Sequence, residues 1–193
     1  QSGISALRKM PEQFGLNATT ELSAQLFSFA AVLELDLYIR KNELKTGVKK
    51  AESIMREMKR HEKYLPPSLH IVLIFNYGIL LFMSGIHARA YSHFSQISQL
   101  NFIGVRADLQ SAARLLQALC LYEKGDTDYL SYAVINLKRQ AKKQKESYRS
   151  EILLLNAIGK AIDLDAPKRI VLWEKLKAKL ENLKNDPLDA ALY

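Results

Sequence analysis

Four histidines, one cysteine and scattered carboxylates are the side chains of this sequence best suited to chemistry. Metal binding on a helix needs two ligands on one face, three or four residues apart. His61, His70, His87 and His93 offer no such pair, and His87 and His93, six apart, look in different directions. Glu34 and Asp36 are two apart and point to different sides of a helix. Glu123, Asp126 and Asp128 gather around a turn, where carboxylates cap helix N-termini. Cys120 sits between Leu119 and Leu121 and reads as a small buried hydrophobe; alone, it forms no disulfide within the chain. There is no glycine-rich phosphate loop, G-x-S-x-G elbow or cysteine pair for zinc. The sequence therefore reads as non-catalytic, with no metal-binding or cofactor-binding residues and no cofactor.

Charge is the second resource. The net charge is +8, and the basic residues collect in three runs: "KTGVKKAESIMREMKRHEK", "KRQAKKQKESYR" and "KRIVLWEKLKAKLENLK". The second is the candidate basic patch, with Lys138, Arg139, Lys142, Lys143, Lys145 and Arg149 against a single acid. Such a patch attracts nucleic acid, anionic lipid or an acidic protein. The plainer reading is a solvated lysine-rich helix face. No helix-turn-helix pattern or aromatic-rich platform accompanies it, so nucleic acid is the less favoured partner.

The elements that position these residues are helical. The apolar fraction of 48% and the charged fraction of 25% are those of a folded globular chain, and glycine and proline are scarce. Leu22, Leu26, Phe29, Leu33 and Leu37 step at helical spacing and put an apolar stripe on one helix face, with Asn17, Thr19 and Thr20 supplying the N-cap. A turn at Lys45-Thr46-Gly47 is expected to end that helix. A second helix runs to about His61, where "YLPPS" breaks it. Further helices are predicted over about 68–84, 87–100, 107–124, 128–145, 147–163 and from Asp165, which is placed to cap a helix with Pro167 in its first turn. Residues 4–10 read as an incomplete helix and "NDPLDAALY" as a tail. No alternating apolar and polar run marks a strand, so the fold class is all-α.

The stretch from Ile71 to Met83 is apolar throughout except for Asn76, Tyr77 and Gly78. A bilayer span needs about 20 residues, and this stretch falls well short of that. It reads as a helix buried by protein, and no membrane span is expected.

Helix pairs recur. Gly85 and Gly125 both fall in helix–helix turns and set the interval of the recurrence. Short connectors make consecutive helices antiparallel neighbours. One hairpin cannot bury its own faces, so the units stack. The stretch "YGILLFMSGIHARAYSHFSQI" resembles a degenerate tetratricopeptide repeat (TPR). Gly78, Gly85, Ala90 and Phe94 fall where that family places small residues in the first helix, at the turn and early in the second helix, and an aromatic four residues on. In the following unit, Ala118, Leu130 and Val134 take those places, and Phe102 stands near the family's proline. "RADLQSAARLLQALCLYEKGD" is similar to segments of bacterial helical-repeat proteins. The resemblance implies a single domain over 1–193, with hairpins at about 19–62, 68–100, 107–145 and 147–185, stacked as a short right-handed superhelix.

It also implies a concave groove lined by Phe75, Ile79 and Phe82 in one first helix and Leu115, Leu119 and Tyr122 in the next, open to an apolar peptide or helix unless neighbouring helices fill it. Ile79 stands where carboxylate-gripping members carry asparagine, so an acidic chaperone tail is not the expected ligand. The functional expectation is a non-catalytic interaction or scaffold module that binds a protein partner or another copy of itself. A nucleic-acid or anionic-surface binder is the second reading. The third is a regulatory repeat region of a larger protein whose effector lies elsewhere, since the chain opens on Gln1. One cysteine and no visible signal segment point to the cytoplasm.

Overall fold

The computed structural model describes residues 2–13, 15, 21–100, 105–143 and 149–183. The proposed caps Asn17, Thr19 and Thr20, Phe102, Lys145 and the tail from Asn185 lie outside the described residues. Among the described residues there are nine α-helices, one 3-10 turn and no strand, so the fold is all-α. The helices group into two compact units, Gln1–Arg106 and Ala107–Tyr193.

The first unit holds α1 (Ser2–Gln13), α2 (Glu21–Arg40), α3 (Leu44–His61), the 3-10 turn Glu62–Tyr64, α4 (Pro67–Met83) and α5 (His87–Gln99). The second holds α6 (Ala107–Lys124), α7 (Thr127–Lys143), α8 (Arg149–Ala161) and α9 (Ala166–Asn182). Pro67 opens α4, where its fixed φ suits a first turn. Asp165 caps α9, its Oδ1 accepting from the Lys168 amide at 3.0 Å. In the first unit α2 packs on α1, α3 and α4, and α4 on α3 and α5. In the second, α6 packs on α7 and α8, and α8 on α7 and α9. Each unit thus repeats one rule: the first helix of a hairpin covers its own partner and the first helix of the next hairpin.

The turns correct one expectation. The α2–α3 connection is at Asn42, not at Lys45-Thr46-Gly47. Asn42 adopts φ 55°, and Glu43 donates its amide to the Tyr38 carbonyl. Gly85 adopts φ 74°, and Ile86 donates to the Leu81 carbonyl in the same way. Left-handed backbone is cheap only for glycine and, less so, asparagine, so Asn42 makes this turn without a glycine. Gly47 lies within α3 and is buried. A Cβ there would sit 2.8 Å from Leu80 and 2.9 Å from Tyr38, so its role is to let three helices meet.

The apolar stripe of α2 is its outer face. Leu22, Phe29 and Leu33 are each about half exposed, at 50%, 52% and 49%. The buried face carries Ala24, Phe27, Ala30, Ala31 and Leu35 with Ser23 and Ser28. Most of these side chains are small, which lets neighbouring helices pack closely on this face. Running from Glu21 to Arg40, α2 is the one described helix long and apolar enough to cross a bilayer; α4 is shorter.

Candidate interaction surfaces

The recurrence set by Gly85 and Gly125 is clearest in burial. In α4 the buried residues are Ile71, Leu73, Ile74, Tyr77, Gly78, Leu80 and Leu81. In α6 they are Ser111, Ala113, Arg114, Gln117, Ala118, Cys120 and Leu121, which match them one for one in the same register. Ala90, Phe94 and Ile97 are buried in α5, as are Leu130, Val134 and Leu137 in α7. The Phe94 ring lies on Gly78: a Cβ at Gly78 would come within 2.5 Å of it.

The proposed groove residues fall in separate units. Phe75, Ile79 and Phe82 share one face of α4, and Leu115, Leu119 and Tyr122 one face of α6; all six are half-buried. Part of each row is occupied by its own unit. Phe75 packs on Phe94 with ring centroids 5.8 Å apart, and Phe82 on His87 at 5.3 Å. The Tyr122 hydroxyl accepts from Arg169 Nη1 at 3.3 Å.

The proposed basic patch divides. Arg139 and Lys142 are exposed on α7, and Arg149 is exposed at the start of α8. Lys143 closes α7, and Lys145 lies outside the described residues. Lys138 is half-buried; burial, then Lys142 and Lys160, push its ammonium below the ordinary value. Tyr132, 65% exposed, precedes these cations, and the steps Tyr132–Ile135–Arg139 and Ile135–Lys142 keep it with them on one face.

Among the described residues the densest cationic face is on α3. Lys45, Lys49, Arg56, Lys59 and Arg60, with Lys63 in the turn that follows, are all exposed. At about 100° per residue they fall within about a third of the helix circumference, spread over roughly 27 Å. The residues that touch α2 lie about half a turn away: Gly47 against Tyr38, Lys50 with Nζ 3.1 Å from Glu34, and His61 stacked on Phe27 at 4.7 Å. Glu52 is the acid within this stripe. Arg89 of α5 donates to it at 2.9 Å and to the Tyr77 hydroxyl at 2.5 Å. The hydrogen bond from Arg89, with its charge, holds the Glu52 carboxyl below the usual range.

The histidines take packing positions. His61 is buried, His93 lies 4.4 Å from the Tyr77 ring, and His87 meets Phe82 edge-on. Burial, and for His93 also Arg89, pushes the His70 and His93 imidazoles below their ordinary value. Burial pushes the Cys120 thiol up to about 12, which keeps it protonated and unreactive at neutral pH.

A buried ion pair escaped the reading of the sequence. Glu151 of α8 accepts from Ser111 Oγ at 2.6 Å and from Arg114 Nη2 at 3.0 Å. The Arg114 and Glu151 side chains are 4% and 0% exposed. The available signal was an arginine at the α6 position that answers to the buried Ile74 of α4. No family model, curated protein or solved structure matches the chain.

Proposed function

We propose that the chain is a non-catalytic interaction module, a TPR-like stack of helix pairs, and that its partner is a protein segment rich in acidic residues bound along the outer face of α3. The observation that carries this is the α3 charge pattern. Six cations share one exposed face, and the acid within it is engaged by Arg89. A surface of one sign attracts the opposite sign and speeds encounter, and its grip weakens with salt. The absence from the sequence of a nucleophile–base set or a phosphate loop supports a binding role.

The test is titration with a labelled peptide of alternating Glu and Ala at several salt concentrations. The expected result is affinity that falls steeply with salt and is lost in Lys49→Glu/Arg56→Glu/Lys59→Glu, while Arg139→Glu/Lys142→Glu binds as before. Binding unaffected by the α3 reversals overturns the proposal.

A second reading has its own observation. On α7, Tyr132 presents an exposed ring on the face that carries Arg139 and Lys142, a pairing of stacking and charge of the kind that single-stranded nucleic acid uses. Retention of a single-stranded oligonucleotide that is lost in Tyr132→Ala would favour it over the acidic segment.

A further inference from the structure

A half-enclosed pocket of about 290 Å³ opens between α1, α2 and the start of α3, within the first unit. Its apolar walls are Ile4 of α1 with Leu37 and Tyr38 of α2. Its charges balance, Arg8 and Lys50 against Glu34 and Glu43. Part of that charge is already committed. Arg8 Nε and Nη2 donate to Glu34 Oε2 at 3.0 and 2.7 Å, and Nη1 lies 3.4 Å from Glu57. The other Glu34 oxygen takes Lys50 Nζ at 3.1 Å.

Two groups keep unused capacity. An ammonium has three donors, and Lys50, with its side chain 34% exposed, directs one of them to Glu34. Glu43 stands at the N-cap position of α3, yet its carboxylate does not cap the helix, and among the described residues no hydrogen bond or ion pair reaches it. The Glu43 end is also the electronegative one. Burial, then Glu34 and Glu43, push the Tyr38 hydroxyl above the ordinary phenol value against the opposing pull of Arg8.

We propose that this pocket binds a small amino acid with its two charges at opposite ends of a short carbon chain. The ammonium sits on Glu43, the carboxylate on Lys50, and the methylenes between them lie against Ile4 and Leu37. Glu43 and Lys50 are seven residues apart, about 10 Å along the α3 axis. An α-amino acid carries both charges on one carbon and reaches only one of these groups; a chain of several methylenes reaches both. The volume is at the small end for a small-molecule site, and apolar walls with a few placed polar groups are its usual make-up. A ligand without net charge also approaches a chain of net charge +8 without the repulsion that a simple amine meets. Neither Glu43 nor Lys50 belongs to the cationic row of α3, so the site stands apart from the acidic-segment reading.

The experiment is a titration of the full chain with γ-aminobutyrate, followed by the methyl NMR signals of Ile4, Leu37 and Met83. Saturable shifts at Ile4 and Leu37 are expected. Met83, which with Glu43 lines a wider and more open cleft, should not respond. Butyrate and butylammonium, each with one of the two charges, should bind at least about fivefold more weakly, the effect of losing one exposed ion pair. Glu43→Gln should bind γ-aminobutyrate no better than the chain binds butyrate, and Lys50→Met no better than the chain binds butylammonium. Both variants leave Arg8 on Glu34. An absence of saturable shifts overturns the proposal, as do equal affinities for γ-aminobutyrate and a one-charge probe, glycine binding as tightly as γ-aminobutyrate, or full affinity in Glu43→Gln. Shifts centred on Met83 would place the ligand in the open cleft and overturn it too.

Discussion

The hairpins α4–α5 and α6–α7 bury the same positions with different chemistry. In the register set by Gly85 and Gly125, Ile71 answers to Ser111, Ile74 to Arg114, Tyr77 to Gln117 and Leu80 to Cys120, and all eight are buried. In the first hairpin the inner face is nearly all hydrocarbon. In the second it is half polar, and Glu151 supplies a countercharge and acceptor for Arg114 and Ser111. The contact between the two helices is also redistributed: Gly78 under Phe94 in one, Ala118 and Val134 at the corresponding places in the other. What repeats is the pattern of burial. Residue identity is free to drift as long as volume and hydrogen bonding are balanced locally.

The strongest way to break the comparison is to remove Glu151. Glu151→Ala leaves the Arg114 guanidinium buried without its carboxylate and should cost about 3–5 kcal/mol, read as a fall in the urea midpoint. Replacing Arg114 and Glu151 together by Met and Leu makes the second hairpin like the first. Hydrophobic replacement of a whole buried pair is often neutral or better, so the double variant should recover most of the loss, apart from the bond that Ser111 gives up. A double variant as unstable as Glu151→Ala would mean that the pair contributes more than mutual compensation.

Next in size is the helix contact. Gly78→Ala puts a methyl against the Phe94 ring, and the ring must move within a filled core; the expected cost is about 1–3 kcal/mol. Gly78→Ala/Phe94→Val imports the pairing of the second hairpin and should cost less than the sum of the two single changes, since the sites are in contact. Additive losses in thermal or urea unfolding would deny the exchange of volume. At the turns, Gly85→Ala and Gly125→Ala each force alanine into left-handed backbone, at about 1–2 kcal/mol. Asn at either site should be milder, because Asn42 already makes that turn after α2.

These contrasts show which parts of the fold could be read from the sequence. The all-α class, the turns at Gly85 and Gly125 and the Asp165 cap follow from periodicity and local backbone chemistry, which short stretches carry in full. The outward face of α2 does not. Its Leu22-to-Leu37 stripe carries bulky apolar side chains, yet the side with Ala24, Phe27, Ala31 and Leu35 is the buried one, a choice made between helices. Gly47 reads as a turn until Leu80 and Tyr38 are seen against it. Glu151 is one carboxylate among many in the chain, and only the fold brings it to Arg114. Of the candidate surfaces, cationic runs are visible in any sequence. Which cations are exposed on one face depends on helix boundaries and neighbours, as the exposed row on α3 shows.

The smallest expected effect sharpens the comparison through acid. All four histidines lie in the first unit and none in the second. His93 packs on Tyr77, and burial and then Arg89 hold its imidazole below the ordinary value; burial does the same for His70. In each case the unfolded chain takes up the proton at a higher pH than the folded one. Their contribution to stability is complete above the ordinary histidine pKa, about 6.5. It is lost as the pH falls below that value toward the depressed folded pKa. Urea midpoints should therefore decline between about pH 7.5 and 5.5, above the range where carboxylates titrate, and His93→Gln should flatten part of that slope. The residue that answers to His93 in the second hairpin is Ala133, buried in α7, so that hairpin carries no imidazole to protonate in this window. A slope unchanged in His93→Gln would mean that the imidazole protonates as readily in the folded protein as in the unfolded chain, and that its place beside Tyr77 and Arg89 carries no electrostatic cost.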